Sequence, residues 1–163
     1  MHTRRYDPAD ADSVLALNQS ALDAVTPLDP AGLDRLVGQA EQVAVVEDDT
    51  PACRVLVGFA VVLAPGSPYD SPNYAWFGDR YDDFHYLDRV VVAEAQRRSG
   101  VGRMLYDHLE RAARTAGRMT LEVYSRPPNV GSLAFHAARG YVEQGHLWQL
   151  NGKTCAMLTK ELL

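Results

Sequence analysis

The sequence is poor in the features that mark secreted, membrane-bound and metal-dependent proteins. Its two cysteines, Cys53 and Cys155, stand far apart and form no C-x-x-C pair; no disulfide framework or zinc site is indicated, and both are expected as reduced, buried small hydrophobes. The histidines, His2, His85, His108, His136 and His146, form no helix-spaced pair or Cys/His cluster, so no metal site is implied. No apolar run reaches the length of a membrane span, and MHTRRYDPAD lacks the apolar centre of a signal peptide, so a cytoplasmic chain without membrane partners is expected. A formal net charge of −5 argues against nucleic-acid binding, which draws on a basic surface. Internal repeats and low-complexity tracts are absent too. With 163 residues, 47% of them apolar and 23% charged, one domain over residues 1–163 with its own core is expected.

What is present concentrates around residues 90–106. Three consecutive β-branched residues, Val90, Val91 and Val92, suit a strand buried on both faces. Arg97-Arg98-Ser99-Gly100-Val101-Gly102 then makes a glycine turn, after which Val101, Leu105, His108 and Ala112 recur at helical spacing. Glycines let a ligand approach the backbone, and the helix start offers unpaired N–H groups and the positive end of its dipole, an anion site suited to a phosphate. The turn lacks the Lys-Ser/Thr of a nucleoside triphosphate loop and the third glycine of a dinucleotide loop. Charge divides around the strand: Asp70, Asp79, Asp82, Asp83 and Asp88 precede it, and Arg97, Arg98, Arg103, Arg111, Arg114 and Arg118 follow. A phosphate ligand on the basic side and a cationic one on the acidic side would use that asymmetry.

Elsewhere, residues 2–6 read as a strand, and Pro8 and Asp29-Pro30 open helices running to about 22 and 40. Residues 42–47 and 54–63 are strands joined through Asp48-Asp49-Thr50-Pro51. Residues 65–83 mix five prolines and glycines with aromatics and read as neither strand nor helix; an acceptor-binding loop or lid is expected there, with Tyr74, Trp76 and Tyr81 as contacts. In residues 84–92, alternation puts Tyr86, Asp88, Val90 and Val92 on one face. Asp88, in an otherwise apolar strand, needs an ion-pair partner or a use. The following helix ends at Gly117, and a strand over 119–124 implies a right-handed crossover and a parallel pair. Asn129 caps a helix over 130–139, with His136 within it, and Asn151-Gly152 marks a terminal hairpin.

Three ordered motifs in this element pattern resemble the GNAT superfamily of acyl-CoA-dependent N-acetyltransferases over essentially the whole chain. R-x-x-G-x-G at residues 97–102 resembles its coenzyme A pyrophosphate loop. Tyr86-Leu87-Asp88-Arg89-Val90-Val91-Val92 resembles its central strand, and Asn129-x-x-Ser132-Leu133-Ala134-Phe135-His136-x-x-x-Gly140-Tyr141 its later motif. The resemblance implies an α/β (α+β) GNAT fold: a mixed central sheet of about seven strands with flanking helices and a splayed parallel pair at the cofactor site. It also implies an enzyme that transfers the acetyl group of acetyl-CoA to a primary amine by direct attack through a tetrahedral intermediate.

By the same resemblance, the cofactor would meet Val90, Val91, Val92, Arg97, Arg98, Ser99, Gly100, Val101, Gly102, Arg103, Asn129, Ser132 and Phe135. Asp88 would be the general base, through a water because aspartate is short, and His136, where the family usually has tyrosine, would protonate the departing thiolate. Tyr74, Trp76, Tyr81 and Tyr86 would contact the acceptor. The acidic neighbourhood favours a cationic small-molecule amine. A protein N-terminus or lysine, or a catalytically weak acyl-CoA sensor, is the alternative, in a monomer or homodimer.

Overall fold

The computed structural model describes residues 1–50 and 53–163. Seven strands make one mixed sheet: β1 (His2–Arg5), β2 (Gln42–Thr50), β3 (Cys53–Leu63), β4 (His85–Val92), β5 (Arg118–Arg126), β6 (Val142–Trp148) and β7 (Thr154–Glu161), in the order β1-β2-β3-β4-β5-β7-β6. Asp48, Asp49 and Thr50, expected in a turn, extend β2 instead; Pro51 and the side chain of Cys53 lie outside the described residues. All pairings are antiparallel except β4 with β5.

Five α-helices cover the two faces. On one lie α1 (Ala11–Gln19), α2 (Pro30–Gln39) and α3 (Pro72–Gly78), over Val43, Val45, Phe59, Val61 and Val91 and, beneath α3, over Tyr86, Cys155 and Met157. On the other lie α4 (Val101–Ala112) and α5 (Val130–Ala138), over Ala60, Leu87, Leu121, Val123 and Leu158. Asp29 accepts from the Gly32 N–H at 2.6 Å ahead of Pro30, the expected cap and first-turn proline of α2. Gly117, at φ 70°, stops the 3-10 turn that continues α4.

Three further expectations are corrected. Residues 65–83 are built round α3, a helix capped by Ser71, whose Tyr74 and Phe77 are buried in the core; prolines at 68 and 72 flank the helix start rather than prevent it. The alternation along β4 also breaks. Val61 pairs with Arg89 and Val62 with Leu87, so Asp88 is the extra residue of a β-bulge. Leu87, Val90 and Val92 pack towards α4, whereas Tyr86 and Val91 face the other helices, so Tyr86 and Asp88 do not share a face with Val90 and Val92. At the terminal hairpin, the Gly152 N–H donates to Gln149 O and only Gly152 has positive φ, so Asn-Gly closes a turn of longer reach than the two-residue type its pattern suggests.

The tightest joint is Gly58 on β3, where α4 crosses the sheet. A Cβ there would meet Val101 Cγ1 at 2.9 Å and Val91 O at 3.0 Å. Gly58→Ala is therefore expected to cost about 1–3 kcal/mol of stability by overpacking, read from the urea unfolding midpoint.

Candidate active site

The parallel strands part almost at once. β4 and β5 pair only at His85 with Met119 and Tyr86 with Thr120, so from Leu87 onward the β4 edge facing β5 has no strand partner among the described residues. A chamber of about 540 Å³ opens in the gap, lined on one side by Val90, Tyr106, Asn129, Ser132 and His136 and on the other by residues 22–27, Tyr69, Ser71, Asn73, Gln149, Asn151 and Lys153. Backbone amides freed in such a cleft need a partner, and an extended ligand with amide groups supplies one.

Three carboxylates line the chamber: Asp23 in the wall at residues 22–27, and Asp88 and Glu122 deeper in, which differ. Asp88 accepts the Tyr69 hydroxyl at 2.5 Å on Oδ1 and the Arg89 Nε–H at 2.9 Å on Oδ2, within a nearly buried ion pair. Both its oxygens are therefore engaged. Glu122, midway along β5, accepts a hydrogen bond from the Tyr86 hydroxyl at 2.9 Å. Burial first, then the negative charge of Asp88, pushes the Glu122 carboxyl up to about 8, against the opposing effect of hydrogen bonds from Tyr86 and Asn73. A carboxyl poised there suits a general base at near-neutral pH. The sequence reading passed over Glu122, although a single carboxylate among Met119, Leu121 and Val123 is the same signal that drew attention to Asp88.

On the α5 side, His136 is 5% exposed and has both ring nitrogens committed. Nδ1 lies 2.7 Å from the Ser132 carbonyl, which can only accept, so the proton sits on Nδ1. Nε2, 2.6 Å from the Tyr106 oxygen, then accepts the phenol proton. Burial lowers the imidazole below its ordinary range and raises the Tyr106 phenol, so both are neutral near pH 7.

The glycine turn leads from β4 to α4. Arg98 has φ 65° and Gly100 φ 97°, and residues 97–100 and Arg103 are solvent-exposed, whereas Val101 is buried as the first residue of α4. Left-handed backbone on a non-glycine residue is uncommon and concentrates where a loop has a job to do. The free N–H groups at the start of α4 add the anion preference expected from the sequence.

Of the expected site residues, Asp88, Val90, Asn129, Ser132, His136 and Tyr86 line the chamber. Asn129 also caps α5 by accepting from the Ser132 N–H at 3.1 Å. Val91 faces the other core, and Phe135 packs edge-on against Tyr106. Three of the expected acceptor contacts are not in the chamber wall. Tyr74 donates to Ala64 O, Trp76 stacks under Arg80 and against Gly145, and Tyr81 lies under Arg118; Tyr69 takes the aromatic place in the wall instead.

Residues 27–141 match the profile of the acetyltransferase (GNAT) family, a span that contains the parted strands, the glycine turn and His136. The chain belongs to the GNAT acetyltransferase family. It is thus an acetyl-CoA-dependent N-acetyltransferase, and the open strand edge and glycine turn fit an acyl donor carrying a pantetheine arm and a pyrophosphate. No curated protein matches this acetyltransferase in sequence. Its fold resembles a ribosomal-protein-alanine N-acetyltransferase from Brucella melitensis, at 23% identity over 99% of this chain and 100% of that one, with a TM-score of 0.76. It also resembles Naa20 of Chaetomium thermophilum, solved with a bisubstrate analogue (22%, 99% and 87%, 0.76). A third likeness is to yncA from Salmonella typhimurium, solved with acetyl-CoA (20%, 100% and 94%, 0.70). Among the described residues, no helix of this acetyltransferase is long and apolar enough to cross a membrane.

The turn offers a clean test of donor binding. At Gly100 the positive φ would make any side chain strain the fold, but Gly102 lies in the first turn of α4 with nothing within 4 Å of an added Cβ. Gly102→Ala is expected to leave the melting temperature unchanged or slightly higher, since alanine favours a helix by about 1 kcal/mol over glycine. If the turn holds the pyrophosphate, its affinity for coenzyme A, measured by calorimetry, should fall.

Proposed function

We propose that this acetyltransferase acetylates the primary amine of a small cationic acceptor, with Glu122 as the general base. One observation carries this reading: Glu122 lies where β4 and β5 part, in a chamber continuous from the α5 side to residues 22–27 and 149–153, and its carboxyl is held near 8. The amine enters from the latter side as an ammonium, drawn by Asp23 and the carboxylates of the chamber. It gives a proton to Glu122, and the neutral nitrogen attacks the thioester carbonyl. Backbone N–H groups of the unpaired β4 edge at Val90 and Val92 hold the donor and steady the oxyanion. Arg97, Arg98, Ser99, Gly100, Val101, Gly102 and Arg103 take the pyrophosphate, and Asn129 and Ser132 shape the donor side.

The thiolate leaves towards Tyr106 and His136. The imidazole N–H is tied to the Ser132 carbonyl and the phenol O–H to Nε2, so neither gives up a proton; the thiolate takes the second proton of the attacking nitrogen, lost as the amide forms, a change from the direct role expected of His136. Glu122 then resets by giving its proton to water. Asp88 acts through its charge, keeping Glu122 basic.

A second reading, a protein N-terminus as acceptor, is favoured by the rim. Leu22, which lines the chamber, is 47% exposed, and Trp148 and Leu150, 63% and 93% exposed, flank the lining residue Gln149. Such side chains suit the apolar residues of a peptide.

Thiol release from acetyl-CoA over polyamines, amino-acid amides and short peptides with free N-termini decides between them. Glu122 holds its proton below about 8 and can accept one only above it, so kcat/KM should climb as pH rises through about 8. Glu122→Gln should lower kcat by about 10²-fold or more, the usual worth of a general base. Asp88→Asn removes the neighbouring negative charge and should move the rise to lower pH; a rise that stays in place in both variants would assign the base elsewhere.

A further inference from the structure

The wall at residues 22–27 is held from β4 by a single buried cation. Arg89, 8% exposed, follows Asp88 in the bulge and spans from the chamber to α1. Its Nη1 donates to Asn18 Oδ1 at 2.8 Å and to Thr26 O at 3.4 Å, and its Nη2 donates to Thr26 Oγ1 at 3.3 Å, while Nε holds Asp88. Asn18, fully buried on α1, donates to the same Thr26 carbonyl at 3.0 Å. Ala24 and Val25 bond back to Ala21, Val25 packs on the core, the Leu28 N–H donates to Gln19 Oε1 at 3.3 Å, and Thr26 between them has only Arg89 and Asn18 as hydrogen-bond partners among the described residues.

We infer that Arg89, with Asn18 and Thr26, is an acceptor-positioning device: it ties the wall that the acceptor meets to the strand that carries the donor-binding backbone. This rests on the acceptor side assigned above. Arg89 touches neither reacting group and acts through the 22–27 segment. A guanidinium suits the task because its planar fork reaches three partners in fixed directions, which the single ammonium of lysine does not. Burying such a charge is costly unless it is paired and hydrogen-bonded, and Asp88 with the Asn18 and Thr26 oxygens supplies those partners.

The test uses two full-length variants of unequal severity. Thr26→Val removes one acceptor and keeps the side-chain shape; Arg89→Lys keeps the charge next to Asp88 and loses the fork. For the best amine of the panel, both should raise the acceptor KM, Arg89→Lys by about tenfold, the worth of a lost hydrogen bond to a charged group. The KM for acetyl-CoA should stay within about twofold, since removing uniform binding on one side leaves the other untouched. Hydrogen exchange read by mass spectrometry should show protection lost in residues 20–28 and retained in β4 and β5. Equal rises in both KM values, or exchange that changes everywhere or nowhere, would overturn the assignment. The exchange result stands whichever amine is the substrate, so it separates failure of this inference from failure of the acceptor reading.

Discussion

Everything in this acetyltransferase turns on the parting of β4 from β5. Elsewhere the sheet is paired along its strands, and its two faces are closed by helices over apolar cores. A parallel pair that ends after two residue pairs leaves backbone donors and acceptors open inside the protein, which no stable fold tolerates without a replacement. The cleft therefore offers hydrogen-bonding groups that water or a ligand can take up, and α4 packs over Gly58 on one side and α3 over Tyr86 on the other.

The bulge at Asp88 does as much as the cleft. By adding one residue to β4 it turns Asp88 and Arg89 away from the Val90 and Val92 face and towards α1 and Tyr69. One buried carboxylate is thereby paired and satisfied, and its charge is felt by the second, Glu122, which has no cation of its own among the described residues. Two similar groups in one chamber come to differ in basicity because their surroundings differ, the arrangement that separates a charge-setting residue from a proton-transferring one.

Most of the fold was legible in the sequence. The run of valines that marks β4, the Asp29-Pro30 start of α2, Gly117 after α4 and the strand-helix-strand order each carry a local physical cause, and each was found where expected. What failed were features set by tertiary context. A one-residue bulge leaves no mark in an alternating strand, so the faces of Tyr86 and Asp88 came out reversed relative to Val90. The short helix α3 was hidden by its prolines, and aromatics that looked ready for a ligand, Tyr74 above all, proved to be core. The site was half legible: Asp88 and His136 do line the chamber, but only the folded chain shows that both have every polar atom engaged, and only the meeting of two strands brings Glu122 beside Asp88.

The most direct test of this account is the titration of the Glu122 carboxyl itself, followed by its side-chain ¹³C resonance in protein labelled at glutamate, with Glu122→Gln identifying the signal. A midpoint near 8 that falls in the Asp88→Asn variant is the predicted result. A midpoint in the ordinary glutamate range, about 4.3, would mean that Glu122 is solvated and charged at all relevant pH, and would contradict the claim that the cleft prepares it as the base.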